Sequence, residues 1–505
     1  MGRQHPNILL IMTDQQRFDT IGALGNPVIR TPALDRLVRA GTAFTRAYTP
    51  SPVCVSARCS LLTGLPPHRT GCVDNMPMPQ ETTSMMQRLA EVGYQGHGVG
   101  KMHFVPNVRA LWGMESRDFS EEGGGEDEFR TFINRNGYEH VLDPHGMRSE
   151  MYYIPQPSQL PARLHHSTWV TDRSIAFLQR RDRSRPFFLW SSFIKPHPPF
   201  ENPTPWNKLY RCADMPLPKR PEGWQNLLTY WNHVQNRYKY RDQGVDDNLI
   251  RTMRAAYYGC ISFVDYNVGR LLDYLQESGE WENTLILFTS DHGELLGDYH
   301  SFGKRCMLDS AARIPLLACW PGHFPAGARC DAPTSLLDIA PTLLKAAGVL
   351  GEEDRRYGDD LAAIATGDVD RRVVFSQFQQ GSTGQYMAVT REWKYIYSAA
   401  DNREWLFDLV TDPEETRNRA ENPMYRTEVT EMREVTIRQF REDQYTAPLE
   451  GNDWKVFPKR EIPADPDAGL LFQDAKGSTA IPAPGYERRN TVSPGAAYRL
   501  LQPPK

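Results

Sequence analysis

The chain has no long apolar run. Across its 505 residues nothing approaches the ~18 consecutive apolar residues that a membrane-spanning helix needs. It also lacks an excess of either charge. Lys and Arg number 58 against 62 Asp and Glu, a net charge of -4, which gives no reason to expect nucleic acid or an anionic membrane as a partner. Cysteine clusters are missing too. The eight cysteines (Cys54, Cys59, Cys72, Cys212, Cys260, Cys306, Cys319 and Cys330) form no C-x-x-C pair and show no zinc spacing. In a chain this long they are expected as free thiols rather than a disulfide framework. There is no internal repeat. The apolar stretch Asn7 to Met12 is too short for a secretory segment, and Thr13-Asp14 follows where small residues would be needed. A cytoplasmic location is therefore expected.

What is present is an alternation of strands and helices. Asn7 to Met12 reads as a buried parallel strand. Thr31 to Ala40 reads as a helix, with Thr31 as N-cap, Pro32 at the first position and Gly41 at the stop. Thr42 to Tyr48 reads as a strand, and a helix follows from Cys54 to about Leu62. Ser84 to Val92 is helical and Tyr94 to Val99 returns to strand. The pattern repeats with a helix over Thr168 to Arg181 and a strand over Pro186 to Phe193. A long helix over Asn248 to Ser278 then leads to a strand over Thr284 to Thr289. Such alternation predicts an α/β fold, a mostly parallel sheet covered by helices on both faces. Ligands of such sheets bind at the carboxyl ends of the strands.

Three regions are expected: a catalytic α/β domain over 1–370, an α+β subdomain of antiparallel strands and one helix over 371–447, and an extended arm over 448–505. In that arm nine of 58 residues are proline. Its anchors would be Trp454, Phe457, Leu470, Leu471, Phe472 and Tyr498, docked on the same subunit or across a homo-oligomer. Two insertions interrupt the first region. Phe104 to His166 contains the acidic, glycine-rich run Glu121 to Glu128, which reads as a mobile loop. Glu201 to Val245 is rich in aromatics, including Trp206, Tyr210, Trp224, Tyr230, Trp231, Tyr238 and Tyr240. Packing of an irregular lid explains these better than substrate contact.

Chemistry gathers at the strand ends. Asp14 closes the first strand and Gln15 follows, offering hard oxygen donors. Asp291 and His292 stand at the same place after a later strand. Each pair alone reads as an ordinary turn. Together, and with Cys54 as candidate nucleophile, they favour a mononuclear site for a divalent metal. Lys101 and His103 are two apart and share a face if extended. His197 sits in the stiff run Lys195-Pro196-His197-Pro198-Pro199-Phe200, and Lys304 follows the Asp291 loop. A tetrahedral anion needs several convergent cations, and Arg58, Lys101 and Lys304 could supply them. His103 and His197 could move protons near neutral pH.

The run Cys54-Val55-Ser56-Ala57-Arg58-Cys59-Ser60-Leu61-Leu62-Thr63-Gly64 resembles the signature of the type I sulfatases of the alkaline phosphatase superfamily. The resemblance covers roughly Asn7 to Arg441. It extends through Asp14, Lys101 and His103, Pro196-His197-Pro198-Pro199-Phe200, Asp291-His292 and Lys304. It continues with Arg313-Ile314-Pro315, Asp338-Ile339-Ala340-Pro341-Thr342, Leu406-Phe407-Asp408-Leu409 and Asp412-Pro413-Glu414-Glu415. It implies that a modifying enzyme oxidises Cys54 to formylglycine, whose hydrate attacks the sulfur of a small sulfate monoester. It further implies a metal held by Asp14, Gln15, Cys54, Asp291 and His292. Ca²⁺ or Mg²⁺ suits the oxygens, while His292 tilts toward Mn²⁺. Arg58 would stabilise the hydrate, Lys101 and Lys304 would neutralise the sulfate, and His197 or Lys304 would help the alcohol depart. His103 would then take the proton that restores the aldehyde. Gln15 and His292 are also similar to the phosphonate monoester hydrolase branch, and Gly100 to His103 resembles choline sulfatases. Ser56 stands where the modification motif usually has Pro or Ala. A phosphonate monoester or phosphodiester hydrolase is thus a second reading, and an anion-binding protein with Cys54 left as a thiol is a third.

Overall fold

The computed structural model describes residues 5–122, 127–148, 152–238, 246–370 and 372–462, with backbone only at 237 and 238. In chain order the first elements are β1 (Asn7–Asp14), α1 (Pro32–Ala40), β2 (Thr42–Phe44), α2 (Cys54–Thr63), β3 (Gln95–Gly100) and β4 (Ser116–Phe119). They continue with α3 (His166–Arg180), β5 (Phe187–Pro196), α4 (Asp247–Glu277), β6 (Thr284–Ser290), β7 (Leu316–Cys319) and β8 (Ala328–Cys330). The eight strands make one sheet in the order β8-β2-β7-β6-β1-β5-β3-β4. Neighbours run parallel from β6 through β1, β5 and β3 to β4. β7 runs antiparallel to both β6 and β2. The expected mostly parallel sheet is therefore observed, with one reversed strand.

β1 explains why both faces of the sheet are covered. All of its residues are buried, and successive side chains point to opposite faces. Ile8, Leu10 and Met12 join one core with Val55, Leu61 and Leu62 of α2. Leu9 and Ile11 join another with Leu34 and Leu37 of α1, Trp169 of α3 and Leu271 of α4. Fully burying such side chains stabilises by ~1.5–3 kcal/mol each. A polar substitution in β1 has no solvated face to turn to.

Local expectations differ from the structure in three places. Thr31 makes no side-chain cap bond. Asp265 of α4 caps α1 instead, accepting from Ala33 N at 3.1 Å and Leu34 N at 2.8 Å. The strand expected over Thr42 to Tyr48 is broken, because Ala47–Tyr48 pairs with Arg313–Ile314 and Thr334–Ser335 in a separate three-stranded sheet. The first insertion contributes the edge strand β4 and a helix over Glu128–Arg135.

A four-stranded antiparallel sheet follows in β9 (Val374–Phe378), β10 (Gln385–Val389), β11 (Trp393–Ser398) and β12 (Arg403–Asp408), with α5 (Arg426–Glu442) after it. Trp454 stacks on Tyr397 with ring centroids 4.4 Å apart. Phe457 packs on the same cluster, and Leu470, Leu471, Phe472 and Tyr498, the remaining anchors expected of the arm, lie outside the described residues. Lid aromatics pack as expected: Trp206 lies 4.3 Å from Phe263 and Trp231 5.0 Å from Phe378, centroid to centroid. The side chains of Tyr238 and Tyr240 lie outside the described residues.

Candidate active site

Four neighbouring parallel strands end at one place, and each delivers a polar side chain there. β1 ends in Asp14, and β6 is followed by Asp291 and His292. β5 ends at Pro196 and is followed by His197. β3 ends at Gly100 and is followed by Lys101. A Cβ on Gly100 would fall 2.1 Å from Ser192 O, so only glycine allows this chain to turn against β5. Cys54 is the first residue of α2, whose positive end faces the cluster. Asn75 Oδ1 accepts from Val55 N at 3.0 Å and ties that helix end down.

Asp14, Cys54, Asp291 and His292 are all buried, and their ligand atoms lie within 4.8 Å of one another. Cys54 Sγ is 3.1 Å from His292 Nε2 and 3.9 Å from Asp14 Oδ1. His292 Nδ1 lies 3.0 Å from Gly293 O. A proton on Nδ1 serves that carbonyl and leaves Nε2 as a lone-pair donor. Two carboxylates, an imidazole nitrogen and a sulfur fit a divalent cation.

Cations surround this group. Lys304 Nζ lies 3.1 Å from Cys54 Sγ and 2.7 Å from Gln15 Oε1. Lys101 Nζ lies 2.6 Å from Asp14 Oδ2. Arg58 spreads its guanidinium over Asp291 Oδ2 at 2.9 Å, Asp14 Oδ2 at 3.3 Å, Lys101 O at 2.7 Å and Ser192 Oγ at 3.1 Å. It thus orients both carboxylates. Gln15 has a positive φ of 67°. Its backbone N–H donates to Asp291 Oδ1 at 3.0 Å, and its amide donates to Glu294. His103 is half-buried with φ of 55°. Its N–H donates to Glu121 Oε1 at 2.8 Å, and its Nδ1 has no partner among the described residues.

Electrostatics set the two acids apart. Burial alone would raise the Asp14 carboxyl, but Lys101, His197, Arg58 and Lys304 hold it well below the usual carboxylate range. Burial and the Asp14 charge push the Asp291 carboxyl up. Burial and Asp14 also oppose the Cys54 thiolate, yet Lys304, Lys101 and His292 outweigh them and bring the thiol well below its ordinary value. Adjacent titratable groups driven in opposite directions mark a functional centre.

A family model for the sulfatases matches residues 6–349. The chain belongs to the sulfatase family. A second model, the C-terminal region of N-sulphoglucosamine sulphohydrolase, matches residues 297–443. An arylsulfatase of Clostridium perfringens is 31% identical over 480 residues, spanning 87% of this chain and 96% of its own. The multifunctional alkaline phosphatase superfamily protein PehA of Trinickia caryophylli is 33% identical over 478 residues, spanning 83% of this chain and 92% of its own. Among solved structures, the phosphonate monoester hydrolase of Agrobacterium radiobacter superposes with a TM-score of 0.77 at 25% identity, over 87% of this chain and 96% of that one. This sulfatase is accordingly a sulfuric ester hydrolase with the alkaline-phosphatase-like fold.

Some residues of the centre were not singled out from the sequence. Ser192 binds Arg58 from within an apolar strand. Glu294 receives Gln15, and also Leu296 N at 2.9 Å; as an acid two residues after His292 it could have been found. Glu121 and Glu122 stand in the run read as a mobile loop. Glu121 Oε1 instead holds Met102 N at 3.0 Å and His103 N, while 123–126 lie outside the described residues.

Proposed function

We propose that this sulfatase hydrolyses small sulfate monoesters with formylglycine, made from Cys54 by a modifying enzyme, as its nucleophile. The observation that carries the reading is the position of Cys54. Its Sγ lies 3.1 Å from both His292 Nε2 and Lys304 Nζ, beside two carboxylates that can share a cation with it. Asp14, Gln15, Cys54, Asp291 and His292 would hold a divalent metal, which would supply positive charge for the sulfate and for the nucleophile's oxygen. Mn²⁺ or Ca²⁺ suits this set best, with Mg²⁺ also compatible.

The chain's own groups do the rest. Arg58 fixes the carboxylates of Asp14 and Asp291 by charge-assisted bonds. Lys101 and Lys304 neutralise sulfate oxygens, at energies that a buried site magnifies. Gln15 aims Lys304 through its Oε1. His197 delivers a proton to the departing alcohol, and His103, with Nδ1 unpaired, accepts the proton that releases sulfate. On this reading residues 1–370 carry the chemistry, 371–447 buttress it, and 448–505 form the arm.

A second reading, phosphonate monoester or phosphodiester hydrolysis in the same site, is favoured by Gln15 beside His292. One preparation assayed on aryl sulfate, phosphonate monoester and phosphodiester decides between them. We expect sulfate to be turned over fastest. A phosphonate or phosphodiester turned over far faster than every sulfate ester overturns the first reading.

A further inference from the structure

Glu122 lies in the insertion between β4 and α3, and no motif quoted above contains it. Its carboxylate is nonetheless placed among the cations of the site. Oε1 lies 3.1 Å from Lys101 Nζ, and Oε2 lies 2.9 Å from His197 Nδ1 and 3.6 Å from Arg148. Burial opposes its charge, but His197, Lys101 and Arg148 keep it ionised, well below the usual carboxylate range. A carboxylate here cannot bind sulfate, whose oxygens it repels. Its geometry suits a different task.

His197 Nδ1 faces two acceptors, Glu122 Oε2 and Pro198 O, the latter at 2.6 Å. That nitrogen therefore carries a proton and donates it. Nε2 is left as the nitrogen that can gain and lose a proton. The backbone beneath the ring is held as well. Lys195 Nζ donates to Pro199 O at 2.6 Å and His145 O at 3.1 Å, and lies 3.4 Å from Glu201, which pairs with His165 at 2.8 Å. The loop fixes where the ring sits, and Pro198 O together with the Glu122 charge fixes which nitrogen is free.

We infer that Glu122 is a positioning residue that, with Pro198 O, holds the His197 tautomer and presents Nε2 to the departing alcohol of the sulfate ester. The inference rests on the proposed role of His197 as proton donor. As the nucleophile's oxygen bonds to sulfur, the sulfur–alcohol oxygen bond breaks and its electron pair stays on the alcohol oxygen. The proton on His197 Nε2 passes to that oxygen, leaving a neutral imidazole. Burial pushes the His197 imidazolium below its ordinary value, and the Glu122 charge, ionised throughout, opposes that push before transfer. The Glu122 ion pair with Lys101 links the end of β3 to the loop after β5, so the sulfate-binding cation and the proton donor share one anchor.

The test uses aryl sulfates of graded leaving-group acidity, from para-nitrophenyl to phenyl to para-methoxyphenyl sulfate, on fully modified, metal-loaded enzyme. Poor leaving groups need the proton most. Glu122→Gln should therefore lose more kcat/KM on phenyl than on para-nitrophenyl sulfate, the two losses differing by ~10²-fold. His197→Ala should steepen the dependence in the same way, and Glu122→Asp, which keeps the charge, should stay close to the native slope. If His197→Ala steepens the slope while Glu122→Gln lowers every substrate by one factor, Glu122 is only structural and the inference falls alone. If His197→Ala leaves the slope unchanged, the role of His197 falls and the inference with it. The native enzyme gives an independent check. With isotope-labelled histidine, His197, assigned by its loss in His197→Asn, should resonate as the Nδ1–H tautomer when neutral. The Nε2–H tautomer overturns the inference whether or not Glu122→Gln folds.

Discussion

Two buried ion clusters lie within a few residues of each other, and they are built to opposite ends. Behind the active site, Asp298 is held by Arg17 at 2.8 Å and Arg254 at 2.6 Å, with Lys219 N at 2.8 Å and Ser310 Oγ at 2.7 Å. Against the effect of burial, Arg17 and Arg254 hold its carboxyl well below the usual range, and the Arg17 guanidinium is raised in return by Asp19 and Asp298. Both partners are settled in their charged forms. In the active site the carboxyls of Asp14 and Asp291 are driven apart, one down and one up, and a thiol stands at the convergence. The first cluster is closed and needs nothing further. The second gathers two carboxylates, an imidazole and a thiol beside Arg58, Lys101 and Lys304, a donor set that fits an added cation. Saturated pairing thus marks scaffolding, and unresolved repulsion marks chemistry.

The largest expected effect is at Cys54. Cys54→Ala should lower turnover by more than ~10³-fold while leaving the melting temperature nearly unchanged, because the residue sits in a polar centre. Cys59, one residue past Arg58, should be dispensable for turnover. Near-native activity of Cys54→Ala would end the proposed mechanism.

Next comes a direct contrast between the clusters. Asp298→Asn leaves two buried arginines short of charge, so urea unfolding should show a loss of ~3–5 kcal/mol, with metal content retained in the folded fraction. Asp291→Asn should do the reverse. Elemental analysis should find the metal lost, while the midpoint falls less than in Asp298→Asn because Arg58 keeps Asp14 as a charged partner. Stoichiometric metal in Asp291→Asn would show that the ligands are misassigned.

A smaller effect is expected between the clusters. Gly293 donates its N–H to Ala311 O at 2.8 Å, and a Cβ there would fall 2.1 Å from Ser310 O. Gly293→Ala must push the loop away and move His292. A displacement of this kind costs ~10²-fold in kcat, and a kinetic assay of the folded variant checks it.

The smallest effect lies outside both clusters. Asp265 caps α1 without a cation, and burial raises its carboxyl to about 7. Between its unfolded value and about 7 the folded protein binds the extra proton. This group's contribution is therefore present at acid pH and lost as pH rises through neutrality. Asp265→Asn should flatten that decline in a stability–pH curve, and an unchanged slope would contradict the assignment.

The sequence revealed the parts of this molecule whose signal is local. β1 and β6 follow from apolar runs, α1 from Pro32 and Gly41 at its two ends, and α4 from its helical periodicity. Asp14, Asp291 and His292 were legible because strand ends in a parallel sheet converge, whereas Cys54, Lys101, His197 and Lys304 were picked out chiefly by the resemblance to the sulfatases. What stayed hidden depends on tertiary partners. Asp265 displaces Thr31 as the cap of α1 from a helix more than two hundred residues away. Arg58 was expected to serve the nucleophile but is found grasping both carboxylates, since two buried acids attract the nearest guanidinium. Glu122 looked like solvated loop, and only the folded chain sets it beside Lys101 and His197.

The central claim is that Cys54 acts as an aldehyde and not as a thiol. Mass spectrometry of the tryptic peptide Ala47–Arg58, from protein produced with a formylglycine-generating enzyme, measures this directly. The account predicts the mass of the aldehyde in place of the thiol, in a fraction that rises in proportion to specific activity. An active preparation whose peptide carries an unmodified Cys54 thiol throughout would contradict it.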